Sequence, residues 1–405
     1  MTLKIDALYR RLKSVSNIHV LLALCAAHCL NDLLQSVVTA VYPMLKSELN
    51  LDFTQIGLIT LVYQIAASIF QPVVGYAFDK RPFRFSLPVG MTSTAVGITL
   101  FATCSSLAGI LVAVFLIGMG AATLHPEASR ITSLAGRGHR GFAQSVFQVG
   151  GNFGGSIGPL LVAIIVAPHD RLYVLWFLVA SALCFAAMKP IVKWYGGYIR
   201  VLKTLSKEEA HIPLPLSRRR TVLAICVIVV LIFSKYIYMT SLQSYYTFYL
   251  IERFGVSVSQ SQMFLFVFTF ATAAGTLVGG PVGDRIGRKA VIWVSILGTA
   301  PFSLLMPHVS LPVTAVLSFG SGFMLSSAFP SILLYAQELL PNKLGLVSGL
   351  FFGFAFGVGG ICAAILGEFA DHYGIITVYN WCAFSPLLGI VAAFLPNLRG
   401  KTGLR

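Results

Sequence analysis

The chain's 405 residues are 57% hydrophobic and only 11% charged, with a mean hydropathy of +0.82. That leaves too little polar surface to cover a soluble globule and puts the chain in a bilayer. A net charge of +15 would point a soluble protein to nucleic acid; here the placement of the cations argues for topology instead, and no nucleic-acid partner is expected.

In chain order, a basic N-terminus (Lys4, Arg10, Arg11, Lys13) precedes an apolar run that continues past Ile18 without a small-residue cleavage site. It reads as an uncleaved first span rather than a signal peptide. A helix needs roughly 20 apolar residues to cross the hydrocarbon. Runs of that length fall near 18–45, 54–78, 86–104, 107–129, 141–167 and 171–194, then 220–250, 259–283, 289–307, 310–336, 344–368 and 374–396. The chain thus reads as an all-α membrane protein with twelve transmembrane helices in two six-helix bundles, 1–194 and 220–405. A polar linker over 195–219 joins them, carrying Lys203, Lys207, Glu208, Glu209, Pro213, Pro215 and Arg218. With both termini cytoplasmic, Lys46, Arg171 and Arg253 fall in outer loops and Lys235 inside a span, which leaves 25 of the 29 Lys and Arg on the inner side. That is the bias of cytoplasmic loops. The seven cysteines stand in no metal-ligand or disulfide spacing and read as free thiols packed as small apolar groups.

Some polar residues stand where hydrocarbon should exclude them. Span one carries His28, Asn31 and Asp32 within about one helical turn. Lys235 lies at a similar depth in span seven, and an offset of 204 maps Asn31 onto it. An ionised residue at such depth costs about 2.5–3.5 kcal/mol on insertion scales, so each should face a wet cavity or a partner. The functional reading gives Asp32 a proton and Lys235 an anionic group of a substrate, with Asn31 beside it; a fixed ion pair is the other reading.

Span four ends in His125-Pro126-Glu127-Ala128-Ser129-Arg130, where the proline should break the helical ladder. Glu127 can join His125 in a proton relay or close the inner end of the span by pairing with Arg130. His125 and Glu127 stand at i, i+2 on different faces, so no metal site is expected. Gln148 and Asn152 share one face of span five and can reach a cavity or bond a neighbouring helix. In span seven Tyr238, Gln243 and Tyr245 are candidates for substrate contact, while Tyr246 and Tyr249 read as rings at the membrane interface. Glu338, where span ten stops, reads as a gate or anchor.

The chain is built twice. Gly75-Tyr-Ala-Phe-Asp79-Lys80-Arg81-Pro82-Phe83-Arg84 recurs 205 positions on as Gly280-Pro-Val-Gly-Asp284-Arg285-Ile-Gly287-Arg288-Lys289. Gly118 and Pro126 recur 204 positions on as Gly322 and Pro330, and Gly141 with Phe147 recurs as Gly345 with Phe351. The repeated Gly-x-x-x-Asp-cation loop resembles the signature of the major facilitator superfamily of membrane transporters. That resemblance implies two pseudo-symmetric halves about an axis along the membrane normal, with a substrate site near mid-bilayer at their interface. It also implies a cytoplasmic latch of Asp79, Arg84, Asp284, Arg285 and Arg288, with Arg130 and Glu338 beside it. Gly154-x-x-x-Gly158-Pro159 resembles the core of the superfamily's antiporter signature, with Val162 and Ala163 in place of its usual Gly pair. Val114 stands where many proton-coupled exporters carry an intramembrane Arg, which turns attention to Asp32, His28, His125 and Glu127 as proton carriers.

Within that superfamily, His28-x-x-Asn31-Asp32, Leu124-His125-Pro126-Glu127, Phe233-Ser-Lys235-Tyr236, Ser244-Tyr245-Tyr246 and Gln337-Glu338-Leu-Leu-Pro341 resemble the bacterial fosmidomycin resistance group. This implies an inner-membrane exporter that exchanges protons for a small anionic phosphonate. It would work as a monomer among membrane lipid, on the proton gradient and with no cofactor. Electrostatics alone leans towards cotransport, because a proton on Asp32 makes the site more positive for an anion; antiport rests on the resemblance. Two other readings stay open. One is a proton-coupled importer of an organic anion on the same fold. The other is a membrane enzyme, such as a lipid-modifying transferase using His125 and Glu127, in which the halves would have no reason to repeat.

Overall fold

The computed structural model describes residues 18–51, 53–136, 138–204, 214–256 and 258–398. The N-terminal cations Lys4, Arg10, Arg11 and Lys13 and the linker residues Lys207, Glu208, Glu209 and Pro213 lie outside them. Among the described residues there is no strand, and twelve helices are long and apolar enough to cross a membrane. The first six are Ile18–Ala40, Leu58–Lys80, Ser86–Thr103, Leu107–Ala135, Arg140–Val166 and Arg171–Leu202. The second six are Arg218–Phe254, Met263–Ile286, Arg288–His308, Leu311–Leu339, Leu344–Ala370 and Ile375–Phe394.

Several helices outrun their apolar stretches. The sixth continues to Leu202 and the seventh starts at Arg218, because backbone hydrogen bonds carry a helix into the head-group layer whatever its hydropathy. Residues 195–202, expected in the linker, are therefore helical. The first span stops earlier than expected, at Ala40, and a separate short helix with proline in its first turn follows over Tyr42–Glu48. Pro126 and Pro330 lie inside the continuous helices Leu107–Ala135 and Leu311–Leu339; each lacks the N–H for one ladder bond without ending its helix. In the fifth span the winding changes just past Pro159, where Val162–Val166 form a turn of π-helix.

The chain forms two compact units that interleave in sequence. One draws on Met1–Arg137, Val146–Pro213 and Leu340–Gly353, the other on Gly138–Ser145, Leu214–Leu339 and Phe354–Arg405. In the first, the second and third spans pack on the fourth, and the first packs on the sixth; in the other, the eighth and ninth pack on the tenth and the seventh on the twelfth. The duplication read from the sequence is thus a duplication of packing. Gly118 brings the fourth span onto the second, where a Cβ would come within 2.6 Å of Ala66. Gly322 brings the tenth onto the eighth, where a Cβ would come within 2.8 Å of the Phe268 carbonyl.

The second unit buries the tyrosines of its seventh span. Tyr246 and Tyr249 lie in a core with Tyr238 and Tyr379. They stand at i+8 and i+11 from Tyr238, on one helical face, and Tyr249 stacks on Tyr379 with 3.9 Å between ring centroids. The Tyr249 hydroxyl accepts from Arg253 Nη1 at 2.6 Å, which lets a polar ring tip lie inside.

Candidate functional site

The helical period puts His28 and Asp32 one turn apart on the same face of the first span, and the fourth span brings His125 to the same carboxylate. Asp32 Oδ2 lies 3.2 Å from His28 Nε2, and Oδ1 lies 3.1 Å from His125 Nε2. Both imidazoles are buried, while Asp32 is 21% exposed. His28 Nδ1 lies 2.7 Å from the Phe147 carbonyl oxygen, and its ring stacks on Phe147 at 4.0 Å. A carbonyl oxygen only accepts, so the tautomer follows from the partners, and Nδ1 carries a hydrogen. Nε2 then meets Asp32 either through a second ring hydrogen, as an imidazolium–carboxylate pair, or through a carboxyl hydrogen. With no proton in that gap, two lone pairs would face each other at 3.2 Å.

The carboxylate has further donors. Asn31 Nδ2 and Gln35 Nε2 donate to Asp32 Oδ1 at 3.1 and 3.4 Å, and the Tyr63 hydroxyl donates to Gln35 Oε1 at 2.7 Å. The fifth span packs on the first through Gly150 and Gly154, whose missing side chains admit the Cys25 and Cys29 carbonyls. Gly151 makes room for the cluster itself: a Cβ there would strike the His28 ring and come within 2.7 Å of Asp32 Oδ2. Ligand atoms of His28, Asp32 and His125 lie within 4.8 Å of one another, a spacing a metal ion could bridge. In the sequence, His125 with Glu127 and Cys25 with Cys29 are the pairs to weigh for such a role, and a metal is expected at neither. The hydrogen bonds account for the convergence by themselves, so no metal is assigned to it.

Glu127 belongs to a different cluster. Fully buried, it accepts from Ser86 Oγ at 3.2 Å and faces Arg130 Nη1 at 3.5 Å. Arg130 also lies 3.5 Å from Asp79 Oδ1 and donates to the Phe78 carbonyl at 2.6 Å and to the Tyr195 hydroxyl. Of the candidates in the fifth span, Gln148 Nε2 donates to Asn152 Oδ1 at 3.3 Å, and both side chains are half-buried.

In the second unit Lys235 is 2% exposed. Its Nζ lies over the Phe329 ring at 4.6 Å and the Tyr236 ring at 5.6 Å. The carboxylates in this unit's described ion pairs are taken by Arg288 and His372, so Lys235 has aromatic faces rather than an acid beside it within its unit. Tyr238 is core, with its hydroxyl 3.4 Å from Ser321 Oγ. Tyr245 donates to the Ala363 carbonyl at 2.6 Å, and Gln243 is exposed.

The repeated loops place two carboxylates on helix ends. Asp79 accepts the backbone N–H groups of Gly345 and Leu346 at 2.9 and 2.8 Å, at the start of the eleventh span. Asp284 accepts those of Gly141 and Phe142 at 3.0 and 3.1 Å, at the start of the fifth. The first N–H groups of a helix lack intrahelical partners, and its dipole favours a negative charge there. One turn before each Asp stands the glycine of the repeat. A Cβ on Gly75 would strike the Gly345 carbonyl, and one on Gly280 the Gly141 carbonyl. Gly-x-x-x-Asp therefore has one physical meaning: the glycine lets a second backbone into contact, and the acid a turn later caps it. Arg288 Nη1 lies 2.6 Å from Asp284 Oδ1, and its Nε 3.5 Å from Glu338 Oε1. Arg285 is exposed at the end of the eighth span, and Arg84, also exposed, lies over the Phe85 ring at 4.5 Å.

Sequence reasoning missed the Phe147 carbonyl, the Gly345, Leu346, Gly141 and Phe142 amides, and Tyr195 and Ser86. Backbone groups carry no residue-type signal. Gln35 could have been found, since i+3 from Asp32 puts it on the same face.

A sequence model of the Major Facilitator Superfamily matches residues 24–252 and 224–404. The chain is 52% identical over 389 residues to the fosmidomycin resistance protein of Escherichia coli, covering 96% of this chain and 95% of that one. It is 24% identical over 348 residues to the probable sulfoacetate transporter of Cupriavidus necator, covering 80% of each. Among solved structures, the Escherichia coli fucose:proton symporter superposes with a TM-score of 0.71 at 18% identity, covering 95% of this chain and 100% of that one, a likeness of fold.

Proposed function

This chain belongs to the Major Facilitator Superfamily and is a multi-pass membrane transporter rather than an enzyme; from that premise we propose that it exports small anionic phosphonates such as fosmidomycin in exchange for protons. The observation that carries the proton half is the bridge of His28 and His125 to Asp32. Because Phe147 fixes the Nδ1 hydrogen of His28, the gap to Asp32 holds together only with a proton in it. Loading that proton ties the first span to the fourth and fifth. Losing it sets lone pair against lone pair and loosens the grip, which turns proton occupancy into a mechanical signal.

Lys235 supports the anionic half. A buried ammonium resting on aromatic rings, outside the described ion pairs of its unit, gains a partner when a phosphonate arrives, and binds it as a point charge. The name of the 52% identical relative supplies the drug class. In this reading the chain works as a monomer in the bacterial inner membrane with both termini cytoplasmic, and the proton gradient replaces any cofactor. The capped starts of the fifth and eleventh spans then lie on the cytoplasmic side. Opening there requires Asp79 and Asp284 to release their amides, and alternating access is the breaking and remaking of those caps.

Everted vesicles energised to be acid inside should accumulate fosmidomycin, and an uncoupler should abolish the accumulation. Uptake confined to right-side-out vesicles would overturn export and favour the second reading, import of an organic anion. A relative named for sulfoacetate gives that reading its support, together with the pull of a protonated Asp32 on an anion.

A further inference from the structure

Arg84 finds its surroundings in a part of the first unit that the transport reading does not use. It lines a cavity of about 520 Å³ with Lys189, Lys193 and Arg200, over an apolar floor that includes Phe185 and Met188. The sixth-span residues fall at spacings of 3, 4 and 7, which is one face of a helix. Gly196 on that face admits the stem of Arg84: a Cβ there would stand 3.3 Å from Arg84 Cδ. All four cations are exposed. The acids in this unit's described ion pairs are held by His28, His125, Arg130 and Arg171, and neither 83–103 nor 178–202 contains an Asp or Glu. Topology accounts for the sign of these charges, but it does not account for their convergence on one cavity with no counter-charge among the described ion pairs.

We propose that this cavity is a binding site for an anionic phospholipid, its phosphate held among Arg84, Lys193 and Arg200 and its acyl chain laid along Phe185 and Met188. The apolar floor selects a lipid over a free anion, since a small hydrated ion gains nothing from it. Lys189 lies eleven residues from Arg200, about 16 Å along the helix, and reaches the head group by extending its stem towards the surface. Basic clefts between spans are the usual seat of such head groups.

The test uses the full-length protein in detergent, with lipids of matched acyl chains counted by native mass spectrometry. Phosphatidylglycerol should be retained over phosphatidylcholine by about tenfold or more, and inorganic phosphate in excess should not displace it. A Lys193→Gln/Arg200→Gln double variant should lose retention by about thirtyfold, the equivalent of about 1 kcal/mol for each cation removed. An Arg81→Gln control outside the cavity should not. Equal retention of both lipids, displacement by phosphate alone, or full retention by the folded double variant would each overturn the site. So would a large gain in retention by Glu208→Gln/Glu209→Gln, because linker carboxylates would then be the occupant.

Discussion

A carboxylate clasped by two imidazoles changes its hold when one proton leaves, so Asp32→Asn, with the same shape and no titration, isolates the proton from the geometry. Accumulation driven by a pH gradient should fall to the uncoupled baseline, while counterflow of labelled substrate at equal pH on both sides should persist. Gly151→Ala should also impair coupling, and overpacking should lower stability by about 1–3 kcal/mol. Gly155→Ala, at a position open for 4 Å around, serves as its control in the same thermal melt. Lys235→Ala should weaken binding of an anionic phosphonate by about 10- to 100-fold, the worth of a charge-assisted hydrogen bond, and leave neutral analogues nearly unchanged. Equal loss on both would mark Lys235 as structural. At this scale the sequence was partly legible. His28 and Asp32 announce themselves by standing one turn apart in hydrocarbon, whereas His125 joins them only through the packing of the fourth span, and the Phe147 carbonyl that fixes the tautomer looks like any other peptide group.

Helix ends carry the second level of the design. An acid on the free amides of a helix start is worth about 0.5–2 kcal/mol, so Asp79→Ala should speed amide hydrogen exchange at Gly345 and Leu346 by roughly the matching factor and leave exchange at Gly141 and Phe142 unchanged. Asp284→Ala should do the reverse. Gly75→Val should be more damaging than either, because it drives a side chain into backbone that cannot rotate away. The two loops were plain as a repeat in the sequence, yet their purpose was not: Asp79 and the amide of Gly345 are 266 positions apart, and nothing local links them. Helix limits were misjudged for a related reason. Hydropathy reports where lipid ends, while hydrogen bonding decides where a helix ends, and the sixth span continues past Lys193 to prove the difference.

For the whole chain, the twelve apolar runs and the doubling of Gly118 as Gly322 were enough to indicate the fold, since length and period are local properties. The make-up of the compact units was not legible, because Leu340–Gly353 joins the first and Gly138–Ser145 the second through contacts that no composition shift marks. A fragment of residues 1–213 expressed alone should therefore be digested by protease faster than the same residues in the intact protein, and co-expression with 214–405 should restore its resistance. Order of manufacture sharpens the point. Asp79 leaves the ribosome 266 residues before the peptide group it will hold, so for most of translation an acid and a bare strip of glycine wait at the membrane for a partner not yet made. A ribosome stalled anywhere short of residue 353 leaves the earliest-inserted helices in place but unfinished.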